Sequence, residues 1–237
     1  MAEALRIGEP PIEVHLRRNG RARRMVLRVG RGGCSPVLTL PPGVPAAQAR
    51  AFLQDHEDWM RGQLAGLARR VRVADGTVLP FGDGALEVRA IGRGRLARRQ
   101  GVLEVPGSAA QVPVRVRAYL TEAARAACAE GAARHAARIG RVARRISLRD
   151  PRARWGSCTE RGELMFSWRL VLAPAVVLDY VIAHEVAHLA EMNHSARFWA
   201  VVRELCPDYP RHRDWLRRHG PELHVYDFAP EAPAPRA

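Results

Sequence analysis

The chain has 237 residues, 47% hydrophobic and 26% charged, an ordinary balance for a globular protein of one large domain or two small ones. No apolar run approaches the roughly 20 residues that span a bilayer, and Met1–Pro10 carries no apolar signal core. The four cysteines, Cys34, Cys128, Cys158 and Cys206, are scattered without a C-x-x-C pair, which excludes a disulfide framework and fits a reducing cytoplasm.

The formal net charge is +14, and all 38 basic residues are Arg. Taken alone, that charge favours a polyanionic partner such as a nucleic acid. The total exclusion of Lys points instead to genomic composition acting on codon choice, because function rarely separates the two at exposed sites.

In chain order, Ile12, Val14 and Leu16 alternate with polar residues, as do Met25, Leu27 and Val29. Asn19-Gly20 lies between the two runs and predicts a hairpin turn. Arg17, Arg18, Arg21, Arg23 and Arg24 crowd that turn and read as a solvated tip. Val37 to Leu40 is a third strand, and Ala46 to Arg69 an amphipathic helix. Short strands follow near Val78-Leu79, Ala85 to Ile91 and Val102 to Val105, broken by glycine-rich turns. An Ala- and Arg-rich helix is expected from Pro113 to Ile139, with small side chains that allow close packing.

Arg145 to Asp150 and Glu163 to Ser167 read as strands, and Trp155-Gly-Ser-Cys158 between them as a tight turn in which Gly156 permits backbone approach. Arg154 can hold a substrate carboxylate, a phosphate or a structural acidic partner. It is a candidate substrate-binding residue together with Ser157; Trp155 reads as a core aromatic.

Pro174 suits a helix start, and the run that follows to Met192 is apolar on nearly all sides, the mark of a buried helix. It carries His184-Glu185-Val186-Ala187-His188. Histidines at i and i+4 lie about 40° apart around a helix and one turn apart along it, so both rings can reach one cation. The glutamate between them can take a proton from water that the cation activates. His194, ten residues after His184, is the expected third ligand, brought back by a turn at Asn193. Glu191 and Glu204 are the acidic rivals for that place. Ser195 is a good N-cap for a helix from Ala196 to Cys206, in which Phe198, Trp199 and Val202 form an apolar stripe. A last helix spans Arg211 to His219, and Tyr209 reads as packing.

Arg154-Trp-Gly-Ser-Cys158, Trp168-Arg-Leu-Val-Leu-Ala-Pro174, the H-E-x-x-H helix, Met192-Asn-His-Ser195 with Phe198-Trp199, and Pro207-Asp-Tyr209 together resemble the YgjP-like metallopeptidase family, which is related to the SprT-type zinc proteases. The resemblance implies a zincin-type hydrolase with zinc on His184, His188 and His194 and with Glu185 as base. In zincins a strand at the place of Glu163 to Ser167 pairs with extended substrate. Family members usually have Asn where this chain has Ser167, and some carry a UTP pyrophosphatase label.

The expected fold is α+β. A β-rich N-terminal region with one helix (residues 1–110) precedes a zincin-like domain (111–225) whose H-E-x-x-H helix packs on a small sheet. A tail (226–237), Pro- and Ala-rich at its end, is expected to be disordered. The function expected first is zinc-dependent hydrolysis of a peptide or protein. The alternatives are a metal-dependent nucleotide pyrophosphatase and, from charge alone, a nucleic-acid-associated binding module.

Overall fold

The alternation of Ile12, Val14 and Leu16 with polar residues does make a strand, with the three apolar side chains buried. The computed structural model describes residues 3–29, 35–68 and 70–229, so Cys34 lies outside the described residues. Contacts divide the chain into two units, Met1–Arg70 and Val71–Ala237.

The first unit contains β1 (Glu3–Ile7), β2 (Ile12–Arg18), β3 (Val26–Arg28), β4 (Val37–Leu40), α1 (Ala46–Asp55) and α2 (Glu57–Ala68). The expected hairpin between β2 and β3 does not form. The sheet order is β1-β2-β4-β3, with β4 parallel to β2 and antiparallel to β3. Asn19 explains the difference. Its N–H donates to Leu40 O (3.0 Å), and its Oδ1 accepts from the Arg21 N–H (2.9 Å). A side-chain-stabilised turn of this kind steers the chain around β4. Arg17, Arg18, Arg21, Arg23 and Arg24 are exposed there.

The expected helix from Ala46 to Arg69 is two helices, broken at His56. The His56 ring Nδ1 donates to Phe52 O (2.8 Å). That carbonyl is the one an α-helix would offer to the His56 backbone N–H, which turns to Leu53 O (3.2 Å) instead. Leu38, Leu40, Ala49, Leu53 and Met60 complete this unit's core.

The second unit begins with β5 (Val71–Arg72), β6 (Val78–Phe81), β7 (Gly84–Gly92), β8 (Ala97–Arg99) and β9 (Val102–Pro106). Strands β6 to β9 form a sheet of order β6-β7-β9-β8. Its buried residues Leu79, Leu86, Val88, Leu103 and Val105 share one core with the helices that follow. The boundary between units therefore falls at Arg70/Val71 and not near residue 110. Turn-rich sequence at residues 107–111 resembles a linker, but the strands before it bury their apolar face in the same core as the helix after it.

Helix α3 (Val112–Arg138) spans 27 residues. Strands β10 (Arg145–Arg149), β11 (Gly156–Cys158) and β12 (Glu163–Ser167) form a small sheet of order β10-β12-β11. Gly156–Cys158 is thus a short strand and not a tight turn. β12 is the central strand, parallel to β10 and antiparallel to β11, so the sheet edge next to the H-E-x-x-H helix is β11.

A 3-10 turn, Trp168–Leu172, leads to α4 (Ala175–Ala187), followed by α5 (Ala196–Leu205), α6 (Tyr209–His219), a second 3-10 turn and β13 (Tyr226–Asp227). β13 pairs in parallel with β5, and Phe228 is buried. The start of the expected tail is therefore part of the fold; residues 230–237 lie outside the described residues.

Buried Arg169 ties this end of the chain down. It donates to Asp150 (2.7 and 3.1 Å) and to the carbonyls of Leu223 (3.0 Å) and Tyr226 (3.1 Å), and its guanidinium lies 4.7 Å from the Trp168 ring. The Trp-Arg-Leu motif is thereby a structural clamp. Among the described residues no helix is long and apolar enough to cross a membrane.

Candidate metal centre

Helix α4 is buried by its apolar side chains. Val177, Leu178, Val181, Ile182 and Val186 are all inaccessible or nearly so, and burial of five such groups contributes on the order of 10 kcal/mol. Asp83 Oδ1 accepts from the Ala175 N–H (3.1 Å) at the helix start. Helix α3 packs alongside, as its small side chains predict. A Cβ at Gly131 would come within 2.8 Å of Ile182 Cδ1, so glycine is what permits this approach. Asp179, the polar residue early in α4, accepts from His135 Nε2 (2.9 Å) and from Arg134 (2.5 Å) on α3.

The helix ends at Ala187, a turn and more before the expected end at Met192, with His188 as its C-cap. Bonds from the N–H groups of Leu189 and Ala190 to Val186 O and Ala187 O tighten the last turn. Asn193 takes no left-handed conformation; Gln100 alone among described non-glycine residues has positive φ. The early stop frees residues 189–193 to carry His194 back over the helix. Ser195 then caps α5, its Oγ accepting from the Phe198 N–H (3.4 Å).

The three histidines converge. Each offers one ring nitrogen, and these lie within 4.8 Å of one another. His184 Nε2 and His194 Nε2 are 3.2 Å apart. Two nitrogens bound tetrahedrally at about 2.0–2.1 Å would be separated by roughly 3.3 Å, so the donor set fits a divalent cation. Neither Glu191 nor Glu204 joins the cluster. It is the Glu191 backbone carbonyl that contributes, accepting from His188 Nδ1 (3.1 Å). A carbonyl only accepts, so Nδ1 carries the proton and the neutral ring keeps its Nε2 lone pair free.

Buried His184 Nδ1 has no hydrogen-bond partner among the described residues. Packing orients that ring instead, with Phe198 at 4.9 Å and Trp199 at 5.7 Å between centroids. Burial, then the charges of His188, His194 and Arg213, press the His184 pKa down to about 3. Burial also lowers that of His188, against the hydrogen bond to Glu191. Both rings are therefore neutral at pH 7 and able to act as ligands.

Glu185 is 6% exposed. Burial pushes its pKa up to about 8, opposed by the charge of Arg154. Its carboxylate lies against the backbone of β11: a Cβ on Gly156 would sit 2.5 Å from Glu185 Oε1 and 2.6 Å from Cγ. Side chains alternate along a strand, so Gly156 and Cys158 face α4 and Ser157 faces away from it. Glu185 raises the pKa of Cys158, as expected for a shared face. Of the two candidate substrate-binding residues, Arg154 is exposed, acts on Glu185 and forms no ion pair among the described residues. The Ser157 side chain points to the opposite face of the sheet.

Sequence reading missed Arg213, which stands 5.1 Å over the Trp199 ring. It also treated Tyr209 as packing only. The Tyr209 ring stacks on Trp199 (5.2 Å), and Tyr209 and Arg213 line a groove together with Tyr180, whose ring lies 6.0 Å from that of His184. Spacing held the signal, since Tyr209, Arg213 and Arg217 follow one another at i, i+4 on α6.

No curated protein and no solved structure gives a significant match. Residues 23–219 match the model of a family described as YgjP-like, metallopeptidase domain. That span is most of the chain and includes the whole histidine cluster, so the protein belongs to the YgjP-like metallopeptidase family.

Proposed function

We propose that this chain is a zinc-dependent peptidase in which His184, His188 and His194 hold the ion and Glu185 serves as general base and acid. The observation that carries this reading is the convergence of three imidazoles within 4.8 Å, beside a buried carboxylate on the same helix. Three neutral imidazoles with an open position suit zinc. Bound there, zinc would supply Lewis acidity, bringing the pKa of water toward neutrality and polarising a substrate carbonyl.

The chain's own groups account for the rest. Glu185 takes a proton from the attacking water and returns it to the leaving amine. Burial raises its pKa, and the charge of Arg154 together with that of a bound cation would favour the carboxylate form that the first transfer needs. The β11 edge supplies alignment. Trp155 O accepts from the Ser167 N–H, and the Thr159 N–H donates to Glu163 O. In that antiparallel register Ser157 also points its backbone groups at β12. The N–H and C=O groups of Gly156 and Cys158 then face the open edge, where an extended peptide can add as a strand. The free thiols Cys128, Cys158 and Cys206 suit a reducing compartment, the cytoplasm in this reading.

The test is Glu185→Gln. The variant is expected to keep its zinc stoichiometry and lose peptide hydrolysis by a factor of about 10² to 10⁴. UTP is offered beside an unstructured protein substrate. Pyrophosphate release without peptide cleavage would replace the peptidase reading with a nucleotide one.

A further inference from the structure

A groove of about 660 Å³ opens beside the histidine cluster, walled by Trp155, Tyr180, Tyr209, Pro210, Arg213 and Leu216. It is continuous with the site through shared residues. Tyr180 lies one turn before His184 on α4, with its ring 6.0 Å away. Trp155 directly precedes Gly156, which backs Glu185. Tyr209 stacks on Trp199, and Trp199 flanks both His184 (5.7 Å) and His194 (5.9 Å).

The charge in this groove is unevenly committed. Asp214 and Arg217 also line it, but the Asp214 carboxylate is taken by Arg217 (2.9 Å) and by Arg218. Arg213 is exposed and has no carboxylate within ion-pair distance among the described residues. Stacking over Trp199 holds its guanidinium in place. Its charge reaches the site, where it acts on both Tyr180 and His184. A held, unpaired guanidinium in an aromatic-walled groove is suited to a carboxylate, which its planar fork can bind in bidentate fashion.

We propose that the groove is a side-chain subsite for a peptide laid along β11, and that Arg213 there selects an acidic residue flanking the scissile bond; this rests on the peptidase reading above. A single uncommitted positive charge matches one carboxylate. A triphosphate, with several negative charges, would be matched by a glycine-rich cradle or a cluster of free cations; here Arg217 and Arg218 are already engaged by Asp214 and Arg213 is left to act alone. The open backbone groups of Gly156 and Cys158 also suit a peptide, which has complementary groups to pair with them.

The test uses full-length, zinc-loaded Glu185→Gln protein, expected to bind without turnover, with the change in intrinsic tryptophan fluorescence on binding as the readout; Trp155 lines the groove and Trp199 stacks on its wall. Capped peptides differ only in carrying Glu, Gln or Lys at each position in turn around one bond. At one flanking position Glu is expected to bind roughly 10- to 100-fold tighter than Gln, the ratio of a charge-assisted hydrogen bond. Arg213→Gln is expected to close that gap, and Arg213→Glu to reverse it in favour of Lys. Equal binding of Glu and Gln peptides at every position would overturn the proposal, as would a preference that survives both Arg213 substitutions. Arg213-dependent binding of UTP without acidic-peptide selectivity would overturn it in favour of a nucleotide. If the wild-type protein cleaves none of the peptides while Arg213-dependent selectivity persists, the peptidase reading falls and takes the scissile-bond part of the proposal with it, leaving the groove as an acidic-peptide binding site.

Discussion

Gly156→Ala tests the placement of Glu185 without altering a ligand or the carboxylate itself. The added methyl group would lie 2.5 Å from Glu185 Oε1, 2.6 Å from Cγ and 2.7 Å from Cδ. Ordinary carbon contacts start near 3.5 Å, so the carboxylate or the strand must yield by about 1 Å. The Glu185 side chain is buried and cannot swing freely aside, and Cγ is too near the helix backbone to move alone. Gly156 does not adopt positive φ, so alanine carries no backbone penalty and the effect is purely steric. Overpacking of this kind costs about 1–3 kcal/mol of stability. A displacement of about 1 Å at a reacting group costs on the order of 10² in rate. Thermal unfolding, zinc stoichiometry and peptide kcat/KM are to be measured on wild-type and Gly156→Ala proteins. The expected result is a folded protein with full zinc content and kcat/KM reduced about 100-fold. Wild-type turnover in a stable Gly156→Ala protein would refute the assignment of Glu185 as the base held against β11.

Phe198 is fully buried and stacks on His188 at 4.4 Å between centroids; Phe198→Ala is expected to cost about 3–5 kcal/mol and to weaken zinc retention, read by denaturant melts and a chelator competition. His224 contributes a separate acid lability. Its pKa is pressed down to about 4 by burial and then by Arg169, so between pH 6.5 and 4 the unfolded chain binds a proton that the folded chain refuses. Stability is therefore present above pH 6.5 and falls as pH drops through that window. His224→Leu is expected to flatten this slope in melts at pH 4.5 and 7.5, and an unchanged slope would assign it to other groups.

The histidine cluster was legible because its signal is local. Spacing on one helix fixes His184, Glu185 and His188, and a short loop bounds where His194 can go. Even there the path differed: the helix stopped at Ala187, and the rival Glu191 entered through its carbonyl. No side-chain pattern reports which backbone group a loop will present. Strand pairing was less legible for a related reason. Asn19-Gly20 has the composition of a hairpin turn, yet β4 sits between the two strands it joins. Composition constrains local dihedral angles and leaves the choice of partner to non-local packing.

The same distinction explains the edge strand. The apolar run of β12 marks it as a strand, and full burial on both sides is what makes it central. The short Gly156–Cys158 segment has too few residues to show alternation, so it reads as a turn, although it is the strand left with an open edge beside Glu185. Glycine there serves two ends at once. It lets the sheet approach the buried carboxylate closely enough to exclude water from that side, and it keeps the edge narrow, so a peptide paired with it would lie near both Glu185 and the histidines. On the proposed reading, selectivity would come from beyond the edge, where the aromatic groove and Arg213 would meet a peptide's side chains.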